Sequence, residues 1–101
     1  MVKRTGAQIL ADTLAINGTQ FVFHMPGESF LVAIDALHKY DGKIAAISCR
    51  NETGMSIMAE ATGKLTGTPG ICFVTRGPGA TNVGLGMHTA FQDSSPMILF
   101  V

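Results

Sequence analysis

The sequence has little charge and no long apolar run. Charged residues make up 14% of its 101 residues, and seven basic side chains balance seven acidic ones. Without net charge, the chain offers no electrostatic surface for nucleic acid or for an anionic membrane. Its uncharged runs are shorter than the roughly 18 residues that a spanning helix needs, and its amino terminus lacks the apolar core of a signal peptide. We therefore expect a cytoplasmic protein that binds neither nucleic acid nor membranes.

Cysteines and metal-ligand motifs are also scarce. Cys49 and Cys72 both lie in apolar runs, where a small buried hydrophobe is a better interpretation than half of a disulfide. His24 and His88 have no cysteine or carboxylate at metal-ligand spacing, and no HExxH motif occurs. We therefore interpret both histidines as packing or surface residues and predict no metal site. The absence of Gly-x-Ser-x-Gly leaves serine nucleophile chemistry without support.

What the sequence does have is a high apolar content, 47%, in a length that suits one domain with its own core. Helical and extended patterns alternate along it. One helix is predicted from Thr5 to near Gly18, and a second, capped by Ser29, to about Lys39. A third, capped by Asn51, is predicted to end near Gly67, and a fourth covers 80–92. Strands are predicted over 20–24, 44–49, 70–75 and 97–101. Because these strands are apolar throughout, the predicted fold class is α/β, a doubly wound parallel sheet with helices on both faces.

Three polar or glycine-rich segments follow the first three predicted strands, at 26–29, 50–54 and 75–82. In doubly wound sheets, ligands bind at the carboxyl ends of the strands. The pattern therefore predicts that these three segments converge on one binding site.

The glycine-rich segment at 75–82 does not fit a nucleotide-binding loop. No Gly-Lys-Ser/Thr follows it as a Walker loop requires, and Asn82 stands where a dinucleotide fingerprint needs glycine. Pro78 also removes one backbone amide that could bind phosphate. The alternative is a close strand-to-helix turn that needs glycine for steric reasons.

Glu52 lies in the first turn of a predicted helix, three residues after a predicted strand. A carboxylate is favoured there by about 0.3–1 kcal/mol, so an ordinary helix-end charge is one interpretation. The other is a catalytic carboxylate. Apolar neighbours such as Met55 and Met58 would suit proton exchange, whereas Arg50 would favour the ionised form.

The ordered set of motifs resembles the amino-terminal, pyrimidine-binding domain of the thiamine diphosphate-dependent, acetolactate synthase-like family. The matching segments are VFHMPGES at 22–29, RNETG at 50–54, MAEA at 58–61, GKLTG at 63–67, GICFVTRGPGATN at 70–82 and Asp-Ser-Ser-Pro at 93–96. The resemblance spans nearly the whole chain, and the ordered set is far more specific than any one motif.

The resemblance implies a cofactor, thiamine diphosphate, and a reaction of a 2-keto acid, as a lyase or a carboligating transferase. It identifies Glu52 as the catalytic glutamate that hydrogen-bonds the pyrimidine ring nitrogen and thereby activates the cofactor. The cofactor-binding residues that it implies are Pro26, Gly27, Glu52, Thr75, Gly77, Pro78, Gly79 and Asn82.

The chain departs from the family pattern at three positions near this site. Asn51 replaces the usual His or Gln after the arginine, and Thr53 replaces the usual Gln or Gly after the glutamate. His24 stands where Gly or Cys is typical. These changes leave Glu52 in place and affect the expected substrate contacts.

The family's pyrimidine domain is longer, and a diphosphate-binding domain with a Gly-Asp-Gly…Asn magnesium motif follows it; the chain lacks this motif. Residues 1–101 are therefore expected to be a pyrimidine-binding domain truncated at its C-terminal end and inactive alone. The expected partner is the diphosphate-binding domain of another subunit in a homo-oligomer, and that domain would hold the Mg²⁺. The alternative is a noncatalytic domain that acts as an assembly or regulatory piece.

Overall fold

The computed structural model of the protein describes residues 2–101. Its helices are α1 (Gly6–Ile16), α2 (Leu31–Leu37), α3 (Glu52–Thr66), α4 (Pro78–Asn82) and α5 (Gly84–Asp93). Its strands are β1 (Phe21–His24), β2 (Ala45–Ser48), β3 (Gly70–Phe73) and β4 (Met97–Phe100). All neighbouring strands are parallel, in the order β2-β1-β3-β4. The predicted parallel α/β sheet is confirmed.

Local sequence signals set the ends of α1 and α3. The Thr5 side chain accepts a hydrogen bond from the backbone N–H of Gln8, whose side chain accepts one from the backbone of Thr5. This reciprocal pair is a capping box, which satisfies two N–H groups that the helix itself leaves unpaired. Asn51 caps α3, and Gly67, with φ of 75°, ends it in the left-handed conformation. The predicted boundaries of both helices are confirmed.

The prediction that Ser29 caps α2 is wrong. Ser29 lies inside a 3-10 turn, Glu28–Phe30, and Phe30 precedes α2 without a side-chain cap. A second 3-10 turn, His38–Tyr40, follows α2. The Ser29 hydroxyl is instead engaged in a contact 46 residues away along the chain. A long-range partner has therefore replaced the local capping role.

The prediction of a single helix over 80–92 is also wrong, because the chain forms two helices there, α4 and α5. Val83, with ψ of −6°, separates the two helices. Beyond it α5 packs closely on α3, because residue 86 is glycine: a Cβ added there would lie 2.2 Å from the Ser56 side-chain oxygen. This helix contact is tertiary, so no local pattern reports it.

A hydrophobic cluster lies on each face of the sheet. Under α1 and α2 the buried residues are Ala11, Leu14, Val22, Phe30, Ala33, Leu37, Ile44, Ile71 and Phe73. Under α3 and α5 they are Phe23, Met55, Ala59, Cys72, Val74 and Val83. The side chains of β1 and β3 alternate between the two clusters. Cys72 is a buried core residue, as predicted, whereas Cys49 is only half-buried; both are free thiols.

β2 lies at one edge of the sheet, and its side chains are more exposed than those of β1 and β3. Ala45, Ala46 and Ser48 are exposed, although the strand reads as an apolar run. Small side chains reduce the apolar area that this edge presents to solvent. None of the helices described over residues 2–101 combines the length and the apolar character of a membrane span.

Candidate functional site

The predicted convergence of three segments occurs at the carboxyl edge of the sheet. Because β1, β2 and β3 are parallel, the segments that follow them leave the sheet at the same edge. The segment after β1 carries Gly27, the one after β2 carries Glu52, and the one after β3 carries Thr75. These three segments are joined by a small set of side-chain contacts.

Glu52 is the first residue of α3, and its position is set by the cap that precedes it. The Asn51 side-chain oxygen accepts hydrogen bonds from the backbone N–H groups of Thr53, at 2.8 Å, and Gly54, at 3.4 Å. Glu52 is half-buried in this first turn. This first turn is also the positive end of the helix dipole. The fold thus holds a carboxylate at the point where β2 passes into α3.

The Glu52 carboxylate lies between two residues of α4. The Asn82 side-chain nitrogen donates to its Oε2 oxygen at 3.2 Å. On the other side, a Cβ added at Gly79 would lie 3.6 Å from Oε1 and 3.1 Å from the methyl carbon of Thr75. The contact with Oε1 would be an ordinary one, whereas the contact with the Thr75 methyl would be tight, so glycine at position 79 eases the packing of α4 against Thr75. Within residues 2–101, Oε1 accepts no hydrogen bond.

The segments after β1 and β3 touch through Thr75. A Cβ added at Gly27 would lie 2.8 Å from Thr75 Cβ, closer than real Cβ atoms approach, so only glycine fits there without a shift. The Ser29 hydroxyl donates to the Thr75 hydroxyl at 3.2 Å. Thr75 is thus the residue through which the first and third segments are joined.

Contacts among the site residues predicted from the sequence divide them into two groups. The structure brings together Gly27, Glu52, Thr75, Gly79 and Asn82. The others, Pro26, Gly77 and Pro78, lie in the same segments and are exposed. The cofactor-binding role of all eight stays a prediction.

One contact of this site was not anticipated from the sequence. The Thr53 hydroxyl donates to the backbone carbonyl of Asn82 at 2.7 Å. The only sequence signal was that Thr53 follows Glu52 directly and departs from the family pattern. A contact across 29 residues has no local signature.

His24 ends β1 beside this site. The structure partly confirms the interpretation of His24 as a packing residue. Its side chain is half-buried, and its ring meets that of Phe30 edge-on, with 6.4 Å between the centroids. Burial lowers the pKa of His24 below its usual 6.5. Its Nδ1 atom is buried without a hydrogen-bond partner among residues 2–101. His88 is exposed on α5.

No group of three or more His, Cys, Asp or Glu side chains placed to hold a metal ion occurs within the part of the chain that the structure describes.

Comparisons with known proteins identify the family. The family described as "Thiamine pyrophosphate enzyme, N-terminal TPP binding domain" matches residues 4–101. The chain is 39% identical over 98 residues to "Acetolactate synthase" of Bacillus subtilis (strain 168), covering 97% of this chain and 17% of that protein. It is 38% identical over 96 residues to "Acetolactate synthase large subunit" of Lactococcus lactis subsp. lactis (strain IL1403), covering 95% of this chain and 16% of that protein. It is also 39% identical over 93 residues to "Acetolactate synthase isozyme 2 large subunit" of Escherichia coli (strain K12), covering 92% of this chain and 17% of that protein.

The chain thus spans about a sixth of the length of these relatives. The family that matches it is named for thiamine pyrophosphate, which is the same compound as thiamine diphosphate. Because the match covers nearly every residue, the chain belongs to the thiamine pyrophosphate enzyme family, as its N-terminal TPP binding domain.

Proposed function

We propose that the carboxyl edge of this sheet binds the aminopyrimidine ring of thiamine diphosphate and that Glu52 is the residue that activates it. The observation that carries the proposal is the placement of the Glu52 carboxylate. Asn82 holds one of its oxygens, and the other oxygen has no donor among residues 2–101. A carboxylate oriented in this way is available to accept a hydrogen bond from a protonated ring nitrogen.

The residues present fit an aminopyrimidine. Such a ring is flat, has polar ring nitrogens and carries an exocyclic amine, so it needs a close backbone approach and hydrogen-bond acceptors. Glu52 supplies a carboxylate acceptor, and Gly27 and Gly79 are positions at which a side chain would crowd Thr75. When bound, thiamine diphosphate supplies the electron sink for cleaving or forming bonds beside a 2-keto group.

The proposed task of Glu52 is to hold a proton at the pyrimidine ring nitrogen. Asn82 orients the carboxylate by donating to Oε2. The remaining residues are proposed to line the pocket for the ring: Pro26, Gly27, Thr75, Gly77, Pro78 and Gly79. Because Glu52 is the first residue of α3, its half-buried carboxylate lies at the positive end of the helix dipole.

The activity proposed for the whole protein is that of a 2-keto acid lyase or carboligase, because its relatives are named acetolactate synthases. Residues 1–101 would then be part of its pyrimidine-binding domain. A diphosphate-binding domain of another subunit would hold the diphosphate and its Mg²⁺, in a cytoplasmic homo-oligomer.

The test places this chain in a complete site. In a chimera, residues 4–101 replace the matching segment of the Bacillus subtilis relative, and hydrogen-deuterium exchange at C2 of the bound cofactor is followed by NMR. Glu52→Gln removes the proton relay while keeping the shape, so exchange should slow by about 10²–10⁴-fold. Glu28→Gln, the same change at an exposed glutamate on this edge, is the control and should leave exchange unchanged.

Equal exchange rates in the Glu52→Gln and unmodified chimeras would reduce Glu52 to a helix-end charge. A folded, unmodified chimera that binds the cofactor without exchanging C2 would favour the noncatalytic alternative.

A further inference from the structure

Asn82 is held at two points by consecutive residues of α3. Its side-chain nitrogen donates to Glu52 Oε2 at 3.2 Å, and its backbone carbonyl accepts from the Thr53 hydroxyl at 2.7 Å. One contact therefore fixes the side chain of Asn82 and the other fixes its backbone. Together they link the first turn of α3 to the last residue of α4.

The backbone contact matters because the side-chain contact alone is weak. Asn82 is exposed, so water competes for its amide, and 3.2 Å is long for a hydrogen bond to a carboxylate. Its carbonyl lies at the C-terminus of α4, where helix carbonyls lack partners within the helix. A short bond from Thr53 satisfies that carbonyl and sets the direction from which the amide reaches Glu52.

We propose that Thr53 is a positioning residue: its hydroxyl holds the Asn82 backbone so that the Asn82 amide is kept on the Glu52 carboxylate. The consequence for cofactor activation rests on the proposed function, but the positioning itself does not. Loss of the hydroxyl leaves Asn82 free to turn its amide away to solvent, and Glu52 then loses the donor that orients it.

The test uses the ¹⁵N-labelled 101-residue chain without any cofactor. The readout is the Asn82 side-chain amide: its chemical shift and its rate of proton exchange with water. Thr53→Val removes the hydroxyl and keeps the branched shape, whereas Thr53→Ser keeps the hydroxyl. Thr62→Val is the matched control, because the Thr62 hydroxyl donates to the Met58 carbonyl within the same helix, away from Asn82.

We expect Thr53→Val to speed exchange of the Asn82 amide roughly two- to tenfold, because the loss of one net hydrogen bond shifts an equilibrium by about that factor. Its chemical shift should move toward the value seen in Glu52→Gln. Thr53→Ser and Thr62→Val should both match the unmodified chain. Backbone amides of the core, such as that of Cys72, should exchange at unchanged rates.

An unchanged Asn82 signal in Thr53→Val overturns the inference. So does equal acceleration of Asn82 and of the Cys72 backbone amide, because that result shows a general loss of stability. Both outcomes are independent of whether Glu52→Gln slows C2 exchange, so the inference and the proposed function fail separately.

Discussion

Gly70, the first residue of β3, lies directly against the backbone of Ala59 in α3. A Cβ added at Gly70 would be 1.8 Å from the Ala59 carbonyl oxygen and 2.5 Å from its carbonyl carbon. Because the obstacle is backbone and not a flexible side chain, α3 can approach the sheet this closely only when residue 70 is glycine. The distance from α3 to the sheet also sets where Glu52 lies at the carboxyl edge.

Gly70→Ala is expected to lower the free energy of unfolding by about 3 kcal/mol, the upper end of the usual cost of overpacking, since either α3 or β3 must move. Gly54→Ala is the control: a Cβ there meets nothing within 4 Å, and alanine is the better helix former by about 0.5–1 kcal/mol. Denaturant unfolding followed by circular dichroism measures both. Equal stability of the Gly70→Ala and unmodified chains would mean that α3 shifts without cost.

The parallel fold could be predicted from the sequence because its signals are local. The capping box at Thr5, the cap at Asn51 and the glycine at Gly67 each act within a few residues, and each sets the end of a helix. The alternation of such helices with apolar strands then leaves few arrangements other than a doubly wound sheet. The segments of the candidate site could be predicted in the same way, because the carboxyl ends of parallel strands lie at one edge of the sheet.

The details of the site could not be predicted, because they depend on contacts between distant segments. The Ser29 hydroxyl joins Thr75 instead of capping α2, and the Thr53 hydroxyl joins Asn82. A hydroxyl can bond to the local backbone or to a distant group, and only the packing of the segments decides between them.

The isolated chain is expected to bind thiamine diphosphate weakly. The proposed contacts involve the aminopyrimidine alone, and a fragment of that size supports a dissociation constant of about 1 mM or weaker. NMR titration with thiamine diphosphate and Mg²⁺ should shift the backbone amides of Gly27, Glu52 and Gly79. Glu52→Gln should reduce these shifts, whereas Glu28→Gln should preserve them. A micromolar dissociation constant, or shifts confined to another surface, would contradict this prediction.

Stability should fall on mild acidification because of His24. Burial lowers the pKa of His24 in the folded chain, whereas the unfolded chain takes up the proton near the usual value of 6.5. The unfolded state therefore binds more protons as the pH falls below that value. The contribution of His24 is fully present above pH 6.5 and is lost as the pH falls through the folded-state pKa.

Thermal unfolding between about pH 7.5 and pH 5 checks this expectation. His24→Gln should have a shallower decline of Tm across that range than the unmodified chain. His88→Gln, at an exposed histidine on α5, should leave the decline unchanged. The same slope in the His24→Gln and unmodified chains would assign the acid sensitivity to other groups.

The 101-residue chain should associate with itself through β4. Within the described residues β4 pairs only with β3, so its outer edge has unpaired backbone groups, and its sequence MILF contains no charge or proline to block pairing. The Ile98 side chain is 43% exposed beside an apolar groove that also includes Leu10 and Phe100. Zero net charge removes the repulsion that would oppose association. Light scattering over a concentration series should therefore show a mass that rises above 10.6 kDa.

Two lysine variants locate the contact. Ile98→Lys puts a charge on the strand edge and should restore the monomer, whereas Leu65→Lys, at an 85% exposed position on α3, should leave association unchanged. If Leu65→Lys alone restores the monomer, the contact lies on the helical face and not on the strand. A constant mass of 10.6 kDa at every concentration would show that the edge of β4 does not pair with a second copy and would contradict this prediction.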